Sequence, residues 1–188
     1  MTHKLWQKKL ELNYSKAIID IVQFGSTLEE GKNPRDIDIA VIFKSISLKQ
    51  QLEEAQHIKK QLEKESNLPI HIKAYDYESL FDESNFAKES IIFLGMSLLL
   101  KKPFVNRLGF SPQVQIGYSL KSLAKKEKIK CNYLLNGKGG KYGILREYKG
   151  ILVKPGLIEV PSYAENIFTE ALKKITPSIT IQKVLVPL

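Results

Sequence analysis

The chain of 188 residues has one cysteine, Cys131. A lone cysteine closes no intramolecular disulfide and builds no cysteine-rich zinc site, which excludes a small disulfide-stapled scaffold and a zinc finger. It suits a reducing compartment or indifference to redox. Long hydrophobic runs are also lacking. The longest, residues 91–100, follows Glu89 and precedes Lys101 and Lys102, and it is far short of the about 20 residues that cross a bilayer. The opening residues Met1 to Lys9 place no apolar stretch behind their charges, so they do not read as a signal peptide. Internal repeats and low-complexity segments are missing too. These absences predict a cytoplasmic protein with no membrane partner.

What is present is ordinary in amount and uneven in placement. An apolar content of 43% and a charged content of 26% suit a globular protein able to bury its own core. The length fits one domain or a small domain with a substantial extension. Net charge is +9. Residues 1–100 carry 13 Lys or Arg against 15 Asp or Glu, whereas residues 101–188 carry 16 against 5. This asymmetry predicts a division of labour, with the basic half facing a polyanion; a lysine excess serving only solubility is the plainer alternative.

Periodicity gives the elements. Residues 4–14 predict a helix with Leu5, Leu10 and Leu12 on its apolar side, and 17–24 predict a strand stopped by Gly25. A short helix over 26–32 and a turn over 31–34 follow, then the cleanest strand of the chain, 36–43. Leu48, Leu52, Ala55, Ile58 and Leu62 step by three and four and mark an amphipathic helix. A third strand covers 68–75, and 85–100 predict a mostly buried helix. Texture changes near 103–112, which divides the chain into an N-terminal domain, 1–102, and a basic α/β extension, 103–188. Beyond it the expectation is a strand at 114–120, a helix at 123–135, a loop at 136–141 and a helical turn at 143–148. A hairpin at 151–160, a helix opened by Ser162 and Glu165 as a capping box, and a strand at 179–186 complete the chain. The fold class expected is α+β, a small mixed sheet with packed helices plus the basic extension.

The chemistry concentrates between Gly25 and Ile39. Asp36 and Asp38 lie two apart on a strand, so both carboxylates leave the same face while Ile37, Ile39 and Val41 turn into the core. Two adjacent carboxylates repel one another and make sense as oxygen ligands of a hard cation such as magnesium. Gly25 and Ser26 sit where a strand gives way to a helix. Glycine admits a phosphate close to the backbone, and a helix start offers N–H groups to an anion. Ser26 adds a hydroxyl hydrogen bond or caps the helix. Metal on one side and a phosphate cradle on the other is the minimum apparatus for moving a nucleotidyl group.

Gly25-Ser26, nine further residues and Asp36-Ile37-Asp38 resemble the signature of the polymerase-β-like nucleotidyltransferase superfamily. The likeness is nearest to its small prokaryotic and archaeal minimal members, whose usual spacing is one residue longer. It covers residues 15–80. The resemblance implies that Asp36 and Asp38 bind Mg2+ or Mn2+, that Gly25 and Ser26 hold a nucleoside triphosphate, and that a nucleoside monophosphate passes to a hydroxyl with release of pyrophosphate. It also implies a third carboxylate on the next strand, and here the chain departs. By alternation His71, Lys73 and Tyr75 share the relevant face, and Asp76 has the parity of the apolar one. His71, or less readily Lys73, fills the slot. A neutral His71 accepts a proton or ligates a metal; as an ordinary strand histidine it does neither. Arg35 and Lys32 are close to the cradle in sequence, as triphosphate contacts or as solvated turn residues.

In the basic half, Lys125, Lys126, Lys128, Lys130, Lys138, Lys141 and Arg146 are candidate nucleic-acid contacts, interleaved with Tyr118, Tyr133, Tyr142 and Tyr148. Lysines supply a salt-dependent phosphate attraction and tyrosines stack on unpaired bases; the plainer alternative is tyrosines in a core solvated by lysines. The segment 137–141 lacks P-loop spacing and reads as a mobile basic loop. Helix, turn, short helix and hairpin is also the order of a winged-helix-like module. The expectation is a metal-dependent nucleotidyltransferase acting on RNA. Alternatives are a catalytically degenerate nucleic-acid-binding protein and an antitoxin-type transferase that adenylylates a protein partner.

Overall fold

Runs of β-branched and aromatic residues fit a pleated, buried surface, and two such runs make the centre of the N-terminal sheet. In the computed structural model, which describes residues 4–28, 33–139 and 141–188, β1 (Ile18–Phe24) pairs antiparallel with β2 (Ile37–Phe43). Helix α1 (Leu48–Glu63) carries the chain across to β3 (Ile70–Tyr75), parallel to β2. Short helices α2 (Tyr77–Phe81) and α3 (Lys88–Phe93) lead to β4 (Met96–Ser97), antiparallel to β1. The order is β3-β2-β1-β4, a mixed sheet.

Both faces of this sheet are covered. Ile37, Ile39, Val41 and Phe43 of β2 face one buried cluster with Ala55, Ile58 and Leu62 of α1. Ala40 and Ile42 face another with Leu80, Ile91, Phe104 and Val105. The chain divides into two compact units, Met1–Gly109 and Phe110–Leu188. Residues 103–109, expected in the extension, therefore belong to the first. Phe104 and Val105 are fully buried there, and the Arg107 guanidinium donates to the buried Asp20 carboxylate at 2.9 Å. Ser97 Oγ donates to the same carboxylate at 2.7 Å, so the buried charge is paired and hydrogen-bonded, as burial demands.

In the second unit β5 (Phe110–Tyr118) pairs antiparallel with β7 (Leu157–Pro161) and with β8 (Ile179–Pro187). Helices α4 (Lys125–Asn136) and α5 (Ile144–Glu147) follow β5, and β6 (Ile151–Lys154) forms a hairpin with β7 before α6 (Glu165–Lys173). The sheet order is β6-β7-β5-β8. Val114, Ile116, Ile158 and Val160 point to a core built with Cys131, Leu135, Leu145, Phe168 and Leu172. On the opposite parity Gln115 Nε2 donates to Glu159 Oε2 at 2.9 Å. The alternation is that of an antiparallel sheet with one apolar face. Helix, turn, short helix and hairpin occur in the expected order, but β8 pairs along the whole of β5 and makes the sheet four-stranded.

Several local expectations change. Residues 4–14 form a 3-10 turn at Leu5–Gln7 and otherwise irregular chain. Leu5, Leu10 and Leu12 still pack on the first core, while the Asn13 backbone exchanges two hydrogen bonds of 2.8 Å with the Gln61 side chain. The 85–100 helix is only α3, because β4 then pairs with β1. On α1, Gln51 is buried and Leu48 and Leu52 are exposed. Ser162 opens a 3-10 turn, and α6 is preceded by Ala164 without a side-chain cap. No helix among the described residues is long and apolar enough to cross a membrane. Met1 to His3, the greater part of the expected 26–32 helix and the Gly31 half of the following turn, Lys32 included, lie outside the described residues.

Candidate functional site

β1 ends in Phe24, and the chain turns through the 3-10 segment Gly25–Leu28. Gly25 adopts φ +77°, and a Cβ there would lie 2.4 Å from Asp38 Oδ2. Only glycine lets the backbone pass this close to the carboxylate. The turn is fixed from beneath: Gln23 Nε2 donates to Thr27 Oγ1 at 2.9 Å. Ser26 lies half-buried in it. The start of the expected helix is 3-10 over Gly25–Leu28, and the Gly25 N–H already donates to Ser90 Oγ of α3 at 3.3 Å. Ser90 stands 65 residues from Gly25 and belongs to no motif, so sequence reasoning missed it. Only the packing of α3 on β1 brings it here.

Asp36 precedes β2 and Asp38 lies in it, both half-buried. In the parallel register Asp38 is opposite His71 of β3, and His71 Nδ1 approaches Asp36 Oδ2 at 3.3 Å. One ligand-type atom from each of Asp36, Asp38 and His71 lies within 4.8 Å of the others. The period-two expectation therefore brings all three residues together. Burial raises the Asp38 carboxyl above its ordinary range and the Asp36 charge adds to that, while His71 and Lys73 pull it back. A cation would remove the repulsion between the carboxylates. Two carboxylates fit a hard divalent ion, and the imidazole extends the set toward softer ones. Asp76 is engaged elsewhere: its Oδ1 accepts from Ser79 N–H at 2.8 Å and caps α2. Lys73 and Arg35 are exposed, Arg35 in the bend before Asp36.

In the second unit Lys125, Lys126, Lys128, Lys130, Lys138, Lys141 and Arg146 are all exposed. The tyrosines divide. Tyr118 packs against the second core, and burial raises its hydroxyl pKa. Tyr148 meets Phe168 edge-on, centroids 6.2 Å apart. Tyr133 and Tyr142 are 40% and 66% exposed, each with a cation over its ring: Lys138 Nζ 4.9 Å from one centroid and Arg146 Cζ 3.7 Å from the other. Between them Gly137, at φ +91°, lies close to Lys141: a Cβ on it would be 1.9 Å from the Lys141 carbonyl oxygen.

Compared with known proteins, the chain matches no family model, no curated protein and no solved structure.

Proposed function

We propose that the first unit is a nucleotidyltransferase site that moves a nucleoside monophosphate from a nucleoside triphosphate to a hydroxyl of RNA, in the cytoplasm. The observation that carries this is the convergence of Asp36, Asp38 and His71 beside Gly25, whose backbone runs against the Asp38 carboxylate. A site that closes two carboxylates on a glycine turn suits a metal-bound triphosphate better than it suits a structural ion pair.

Asp36 and Asp38 would hold Mg2+ or Mn2+, which supplies charge neutralisation at the triphosphate. Ser26 and Ser90 donate hydroxyl hydrogen bonds to phosphate oxygens, and Arg35 lies where it adds a positive charge. The acceptor oxygen forms its bond to the α-phosphorus as the bond to the pyrophosphate oxygen breaks, and pyrophosphate leaves. His71 takes the acceptor's proton, while its contact with Asp36 keeps the imidazole at the cluster.

The test is metal-dependent transfer from each α-labelled nucleoside triphosphate onto total cellular RNA and protein, comparing wild type with Asp36→Ala/Asp38→Ala. Label on RNA that vanishes in the double variant is the expected result. Label on protein would shift the reading to an adenylylating transferase. No label with any nucleotide would leave the binding-module reading, which the histidine in the third-carboxylate position favours.

A further inference from the structure

We infer that the second unit binds single-stranded nucleic acid by stacking unpaired bases on Tyr133 and Tyr142. This names the partner of the transfer reaction proposed above, but as a binding surface it stands without that reaction. The sorting of the tyrosines carries it. Tyr118 and Tyr148 are used by the core, whereas Tyr133 in the last turn of α4 and Tyr142 shortly before α5 are 40% and 66% exposed. An exposed tyrosine with a cation across one face is a stiff platform whose other face remains for a base. Two such platforms within one short stretch suit successive bases of a strand.

A second feature adjoins the Arg146–Tyr142 stack. Between the end of α4, α5 and β6 lies an open cavity of about 430 Å³ with Leu135, Leu145, Ile151 and Leu152 in its walls and Arg146 and Lys149 beside them. Ile151 and Leu152 are 57% and 46% exposed on the edge strand β6. Apolar walls with cations at the rim match an aromatic base joined to phosphates. The volume falls within the range of small-ligand sites. Arg146 is shared by the stack and the cavity, which makes the two features neighbours.

Charge supplies the rest. Among the residues from α4 to β6, Lys125, Lys126, Lys128, Lys130, Lys138, Lys141, Arg146, Lys149 and Lys154 face only Glu127 and Glu147, and Glu127 Oε2 accepts the Ala124 N–H at the start of α4. A duplex would satisfy the charge but hides its base faces. Exposed rings therefore decide for single strands.

Fluorescence anisotropy of labelled single-stranded RNA, single-stranded DNA and a duplex of equal length tests this on the full chain. Both single strands should bind more tightly than the duplex; the better of the two identifies the natural sugar. Tyr133→Ala and Tyr142→Ala should each weaken single-strand binding about tenfold, and on the order of 100-fold together. Tyr142→Phe, which keeps the ring, should stay within about threefold, and Lys173→Gln/Lys174→Gln, on the exposed end of α6, within about twofold. Equal affinity for duplex, or tyrosine variants that bind as wild type does, would overturn the inference. Asp36→Asn/Asp38→Asn separates the two proposals: strand binding that survives in it supports this one whether or not wild type transfers label.

Discussion

β2 and β6 are both short strands rich in β-branched residues, and they are buried to opposite degrees. In β2 every residue but Asp38 is buried, and in β6 every residue is exposed. The same contrast separates the units. Met1–Gly109 carries 16 basic and 15 acidic residues, and Phe110–Leu188 carries 13 and 5. In the first, a sheet covered on both faces leaves little room for polar groups, so the one carboxylate in β2 and its neighbours stand out. In the second, one face of the sheet and an edge strand are open, and the charge is spread. In the functions we propose, the closed sheet concentrates chemistry at an end and the open one distributes recognition over a surface.

The largest effect expected from breaking this contrast comes from the second core. Phe168→Ala empties a fully buried site and should cost about 3–5 kcal/mol, read by urea unfolding. It should abolish strand binding with the nucleotide affinity of the first unit kept. Next, Asp36→Asn or Asp38→Asn should lower transfer by about 100-fold or more, with strand affinity unchanged by anisotropy. Gly25→Ala must place its Cβ against Asp38 in a left-handed backbone; a loss of about 1–3 kcal/mol is expected, together with loss of nucleotide binding by calorimetry. His71→Ala should lower transfer by about 100-fold, by removing the base that takes the acceptor's proton, with nucleotide affinity kept.

The smallest effect is on pH dependence. Burial first, and then Asp36, raise the Asp38 pKa, so ionising Asp38 opposes folding. Its contribution to stability is present below the ordinary carboxylate pKa and is lost as pH rises through the raised value. At neutral pH without metal, Asp38→Asn should therefore raise the melting temperature, by on the order of 1–3 °C. The gain should shrink as the pH is lowered through the titration of Asp38. A variant that melts lower than wild type at neutral pH would mean that the carboxylate is stabilised by its neighbours.

The parts legible in the sequence were those governed by a short period. Asp38 and His71 sit on neighbouring strands of period two, with Asp36 one residue before the first of them, and the apolar runs around them fix which face they take. Gly25 was legible because a strand must stop there. Tertiary contacts decided the rest. Leu5, Leu10 and Leu12 suit a helix by pattern, yet the Asn13 backbone is satisfied by Gln61 of α1 instead of by a helix of its own. Gln51 is buried because its Nε2 donates to the Ile46 carbonyl at 3.1 Å, an exchange that hydropathy does not register. Ser90 reaches Gly25 only through the packing of α3, and nothing local distinguishes Tyr133 and Tyr142 from Tyr118 and Tyr148.

The two proposed sites have separate duties, and measuring both affinities on two variants separates them. Binding of a fluorescent nucleoside triphosphate with Mn2+, and of labelled single-stranded RNA, would be titrated for wild type, Asp36→Asn/Asp38→Asn and Tyr133→Ala/Tyr142→Ala. The carboxylate variant should lose the nucleotide and keep the strand, and the tyrosine variant should do the reverse. Nucleotide binding undiminished in the carboxylate variant would contradict a nucleotide site built on Asp36 and Asp38.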